Sequence, residues 1–175
     1  MGHGLSQLNS LTAAEAREQF LKCCGSESWA DSMVAQRPFA GVTELLNQAA
    51  EVWWSLAEAD WLAAFHCHPK IGEQKAAANV AAESRSWSAA EQAGTRAAAA
   101  ETMSELALGN RQYEERFGYI FIVCASGKSA TEMLGLLRER IYNDPQKELR
   151  VAAGEQSKIT QLRLNKLLES LEERV

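Results

Sequence analysis

The chain has 175 residues, 23 acidic against 18 basic side chains, and a formal net charge of −5. That length suits one domain, long enough to bury a core without disulfides or a structural metal. The acidic balance excludes a dedicated nucleic-acid binder, which carries a basic face, and no run of about 18 apolar residues offers a membrane span. Abundant Ala, three Pro and 7% aromatics favour helices over a β-sandwich. Cys23, Cys24, Cys67 and Cys124 form no C-x-x-C pair, a pattern of reduced thiols rather than of a disulfide framework or a zinc knuckle.

In chain order, residues 1–10 read as a flexible N-terminus and 11–175 as one helical domain. Thr12-Ala13-Ala14-Glu15 is a capping box, in which hydroxyl and carboxylate each satisfy a free backbone N–H. Ala16, Phe20, Leu21 and Cys24 then recur at helical spacing, and Gly25 stops the run. A short helix is predicted over 29–36, ended before Pro38 because the preceding residue avoids helical backbone. Thr43 is expected to cap a longer helix whose stripe is Leu45, Leu46, Ala49, Val52, Trp53 and Leu56. Asp60 opens another, through Phe65, and Pro69 ends it. Residues 71–87 read as a partly helical loop. Ser88-Ala89-Ala90-Glu91 is a second S-x-x-E box, opening a long Ala/Glu helix through Leu108 with Gly109 as its stop, and Arg111 to Phe117 continues as helix. Tyr119 to Cys124 is strongly β-like but has no partner of similar strength, so it reads as a buried extended or short helical segment. Ser129 to Tyr142 is a helix with Met133, Leu134, Leu136 and Leu137 inward. Pro145 opens the last helix, which runs to about Leu171. These elements predict an all-α fold of seven to nine helices.

Three places could carry chemistry. His66-Cys67-His68 suggests a metal, but residues two apart do not share a helical face, and a zinc site needs three or four protein ligands, so no metal is expected. One imidazole can instead cap the helix end or act as an acid/base near neutral pH; spacing alone favours the cap. Ser88 and Glu91 are fully explained by helix capping, yet the same helix N-terminus would favour an anionic substrate group. Ser126-Gly127-Lys128-Ser129 looks like the end of a phosphate loop, but Ile122 stands where the leading Gly is required, so the loop is absent. A turn before a helix remains, with Lys128 as a possible anion contact. Trp53, Trp54 and Trp61 read as packing residues.

Together, Phe65-His66-Cys67-His68-Pro69-Lys70-Ile71-Gly72, Trp87-Ser88-Ala89-Ala90-Glu91-Gln92 and the segment from Tyr113 through Phe117-Gly118-Tyr119 to Lys128 resemble 2-oxo-4-hydroxy-4-carboxy-5-ureidoimidazoline (OHCU) decarboxylase. Arg37-Pro38-Phe39, Lys158-Ile159-Thr160 and Arg163-Leu164 add to the likeness, which spans about Leu11 to Leu168 and is nearest the plant and bacterial branch. The resemblance implies a cofactor-free carboxy-lyase of urate degradation, making (S)-allantoin and carbon dioxide. It implies a homodimer in the cytoplasm or, as in plant members, the peroxisome. It puts the catalytic histidine on His68, with Glu91 orienting the substrate hydroxyl or tuning that ring. Substrate contacts fall on Pro69, on Ser88, Ala89, Ala90 and Gln92, and on the backbone of Phe121, Ile122, Val123, Cys124 and Ala125. Animal members carry Arg where Ser126 stands, which makes Lys128 the candidate substitute, although an ammonium lacks the guanidinium fork. The alternative is an inactive helical interaction module of the same fold.

Overall fold

A computed structural model describes residues 2–71 and 100–173. They form eight helices: α1 (His3–Ser10), α2 (Ala13–Cys23), α3 (Glu27–Ala35), α4 (Val42–Ser55), α5 (Glu58–His66), α6 (Ala100–Phe117), α7 (Ala130–Arg140) and α8 (Pro145–Glu172). Among the described residues there is no strand, as the all-α reading requires. The second S-x-x-E box and residues 72–99 generally lie outside the described part.

Packing divides the chain into two compact units, one of residues 1–64 with 157–175 and the other of residues 65–156. The divisions fall inside α5 and α8. In the first unit, α2 begins at the expected capping box, with Thr12 and Glu15 each accepting from the other's backbone N–H. Ser26 caps α3 by accepting from Trp29 N, which starts that helix two residues earlier than the sequence pattern suggests. The N-cap of α4 is Gly41 rather than the expected Thr43, and the Glu44 carboxylate reaches back to the Ala40 N–H. Phe20, at the centre of this unit, meets Trp29 and Phe39 edge-on, with ring centroids 5.8 and 6.4 Å away. The buried indoles there are both partnered: Trp29 Nε1 donates to Ala49 O at 3.0 Å, and Trp61 Nε1 donates to Trp53 O at 2.9 Å. The three neighbouring tryptophans pack on one another, as expected of large rings.

The expected flexible N-terminus is instead a helix with Leu5 and Leu8 buried. The physical reason is Gly4. A Cβ at that position would lie 2.1 Å from Leu168 O, so only a residue without one lets α1 lie this close to the end of α8. Asn9 fixes the loop beyond by both donating to Phe39 O and accepting from Phe39 N, and Arg37 Nη1 donates to Leu8 O and Leu11 O.

In the second unit, Gly109 does not stop a helix. α6 runs through it to Phe117, because a Cβ there would come 2.7 Å from Leu137 Cδ2 and the missing side chain is what admits α7. A turn at 126–127 precedes α7, and Ser129 caps it in a second reciprocal box with Glu132. Pro145 opens α8 while the Asp144 carboxylate accepts from Gln146 N and Lys147 N. None of the helices described is long and apolar enough to cross a membrane.

Gly4→Ala is expected to lower stability by about 1–3 kcal/mol, the cost of forcing atoms into a filled space. Urea unfolding of the variant against the parent measures it, and an unchanged midpoint would contradict the close approach of α1 to Leu168.

Candidate active site

Between α6 and α7 the chain passes through residues 119–125 as neither helix nor strand, with every one of these residues buried. No neighbouring strand among the described residues holds them. Side chains do. Glu148, on the first turns of α8 and wholly buried, accepts from Tyr113 Oη at 2.5 Å. The same carboxylate accepts from Arg140 Nε at 2.8 Å and Nη2 at 2.6 Å, and from Asn143 Nδ2 at 2.6 Å. Arg140 spends its remaining arm on the segment itself, donating from Nη1 to Ile122 O at 2.9 Å, and its guanidinium lies 4.6 Å over the Phe121 ring. A charged pair this deep is stable only because nearly every donor and lone pair is used.

Farther along, Cys124 N donates to the Glu155 carboxylate at 2.7 Å, and Lys128 Nζ donates to Cys124 O at 2.8 Å. Lys128, the candidate anion contact, thus ties the turn to the segment before it. The next residue of α8, Gln156, is wholly buried, and its Oε1 lies 2.6 Å from His68 Nε2. His68 sits on the turn that ends α5, its N–H donating to Phe65 O, and Phe65 packs on Tyr119 with ring centroids 5.3 Å apart. Lys70, two residues on, pairs with Glu114 at 2.6 Å. The structure therefore gathers His68 and residues 121–125 around one turn of α8. His68 and Pro69 are half-buried, whereas His66 and Cys67 are exposed. Ser88, Ala89, Ala90, Glu91 and Gln92 lie outside the described residues. Among the described residues no three His, Cys, Asp or Glu side chains come together as a metal site.

Sequence reasoning missed Tyr113, Arg140, Glu148, Glu155 and Gln156. One signal was available: Gln156 falls in the inward row of α8, three or four residues from Ala152, Ala153, Ile159 and Thr160, all buried. A fully buried amide in an apolar row must have a partner.

The described residues make an all-helical fold in which a half-buried histidine shares one turn of α8 with a buried segment that is neither helix nor strand. Residues 9–165 match the model of the OHCU decarboxylase family. The chain is 39% identical over 152 residues to the uric acid degradation bifunctional protein TTL of Arabidopsis thaliana, covering 86% of this chain but only 46% of that protein. It spans 32% of the bifunctional protein of a Bacillus strain, at 27% identity, so it matches less than half of either bifunctional relative. Against the OHCU decarboxylase of Amia calva it is 33% identical over 171 residues, 94% of each chain. A crystal structure of OHCU decarboxylase in the presence of (S)-allantoin superposes with a TM-score of 0.75 at 37% identity, covering 87% of this chain and 98% of that one. The chain belongs to the OHCU decarboxylase family.

The buried phenols give a pH test of this unit. Burial, with the bond to Glu148, holds Tyr113 far above the usual phenol range, and burial pushes Tyr119 up to about 12. Both folded phenols stay neutral while unfolded tyrosines ionise near pH 10, so their contribution is full below about pH 10 and is lost as pH rises toward the folded values. Tyr113→Phe should make the alkaline fall in unfolding free energy shallower, by up to about 1.4 kcal/mol per pH unit. Equal slopes for the two proteins in urea titrations between about pH 9 and pH 11.5 would contradict it.

Proposed function

We propose that this chain decarboxylates OHCU to (S)-allantoin and carbon dioxide without a cofactor, with His68 as its acid/base. The observation that carries the reading is the unequal treatment of two neighbouring imidazoles. His68 is half-buried and held at 2.6 Å by a wholly buried amide, while His66 points to solvent. A general acid or base must be held within reach of one proton, and a fixed ring meets that need where a mobile one does not.

The substrate supplies its own electron sink. The bond from C4 to the carboxylate breaks, carbon dioxide leaves, and the electron pair moves into the adjacent ring C=N. The 4-hydroxyl enol that results becomes the carbonyl of allantoin by losing its O–H proton, one proton is added to a single face of the carbon bearing the ureido group, and the ring nitrogen that received the electron pair is protonated from solvent, so that the net uptake of one proton replaces the carbon dioxide lost. His68 takes the first proton or delivers the second. Glu91 orients the hydroxyl or favours the charged form of His68. Ser88, Ala89, Ala90, Gln92 and Pro69 line the substrate, with the backbone of Phe121, Ile122, Val123, Cys124 and Ala125 reading its ring amides and ureido group. Within that segment the Cys124 N–H is committed to Glu155, so the amides of its neighbours carry the larger share. Lys128 acts by shaping the segment through Cys124 O. A homodimer working in the cytoplasm belongs to the same reading.

His68→Ala should lose about 10²–10⁴-fold in turnover of freshly generated substrate, with His66→Ala near normal, as read by circular dichroism of the (S)-allantoin formed. Near-normal enantioselective product from His68→Ala would overturn the assignment. No acceleration by the parent protein would leave an interaction module. For Glu91, Glu91→Gln should stay folded and lose activity. Melting temperature and turnover on one sample separate this from a capping role, in which stability falls first.

A further inference from the structure

The contact that singles out His68 also constrains which of its nitrogens holds the proton. Its Nε2 faces the Oε1 of Gln156 at 2.6 Å. A neutral imidazole has one N–H and one lone pair. A carbonyl oxygen cannot donate, so a bond this short requires the hydrogen to be on Nε2, with the lone pair on Nδ1. Gln156 is 0% exposed on a helix interior, between the buried Ala152 and Ala153 on one side and Ile159 and Thr160 on the other. The neighbouring residue, Glu155, is anchored to Cys124 N, so the turn that presents the amide is fixed at a second point.

We infer that Gln156 is a positioning residue for the acid/base: it holds the neutral His68 ring as the Nε2–H tautomer and makes Nδ1 the nitrogen that exchanges the proton during the reaction. The inference rests on His68 being the acid/base, but the tautomer can be read in the resting enzyme, independently of turnover. Gln156 is not itself in contact with the reacting atoms in this account. Its effect is to keep one ring face and one nitrogen presented, where an unheld histidine would interconvert between its tautomers and rotate about its side-chain bonds.

The test uses the full chain labelled with ¹⁵N-histidine. The sequence has three histidines, and the His68 signals are those that vanish in His68→Ala. Long-range ¹H–¹⁵N correlation at a pH where the rings are neutral should show a protonated Nε2 and an unprotonated Nδ1 in the parent. Gln156→Leu removes the acceptor and should give averaged nitrogen shifts, with kcat reduced roughly tenfold or more and KM within about twofold. Gln156→Glu, an acceptor of the same length that cannot donate, should keep the parent tautomer. This variant separates an accepting role from loss of packing, and thermal melting checks that both variants are folded. A protonated Nδ1 in the parent, averaged shifts in Gln156→Glu, or parent-like shifts and kcat in Gln156→Leu would each overturn the inference. Retention of activity by His68→Ala would instead overturn the acid/base role and leave the tautomer result standing.

Discussion

The Glu148 carboxylate is the point on which the second unit depends. A buried segment that is neither helix nor strand has no ladder to satisfy its backbone or to fix its path. Residues 119–125 receive that restraint from side chains instead. Glu148 orients Arg140, and Arg140 reaches the carbonyl of Ile122 and the face of Phe121. Tyr113 and Asn143 complete the carboxylate's shell from two other places in the chain. Such a cluster costs much desolvation and returns it only when complete. Removing Arg140 or Glu148 alone leaves an uncompensated charge, a loss of about 3–5 kcal/mol in buried pairs. Net stability is therefore a weaker reason for it than the single path it imposes on the segment.

α8 borders both the buried segment and His68. Its first turns carry Glu148, which fixes the middle of that segment through Arg140; two turns later Glu155 fixes its end and Gln156 meets His68. Rigid helices hold functional groups more exactly than loops do. Here His68 and residues 121–125 are themselves on irregular backbone, and the precision comes from a helix that borders both.

Local rules account for most of what could be read beforehand. The box at Thr12–Glu15 is contained in four residues and forms as expected, and Ser129 opens α7 as its N-cap. Pro145 and Asp144 likewise announce the start of α8. Two of the misreadings share one cause. Gly4 and Gly109 look like helix breakers in isolation, but each is where another element comes too close for a Cβ. That information lies in Leu168 and Leu137, far away in sequence. The burial of 119–124 was accessible from its β-branched and aromatic residues, whereas its anchors, Arg140 and Glu155, were not, because a long-range ion pair or hydrogen bond leaves no period in the sequence. The choice of His68 over His66 came from resemblance; burial and the Gln156 contact supply a physical distinction that two residues of spacing could not.

Glu155 and Gln156 are consecutive, and this has a mechanical meaning. On a helix of 3.6 residues per turn, neighbours point about 100° apart, so one turn addresses two different directions at once: the amide of Cys124 and the ring of His68. Their relative angle is set by helix geometry and cannot drift. Inserting or deleting a single residue between Glu148 and Glu155 would rotate both groups together by about 100° relative to the Glu148 anchor. The length of this stretch thus behaves as a fixed gauge.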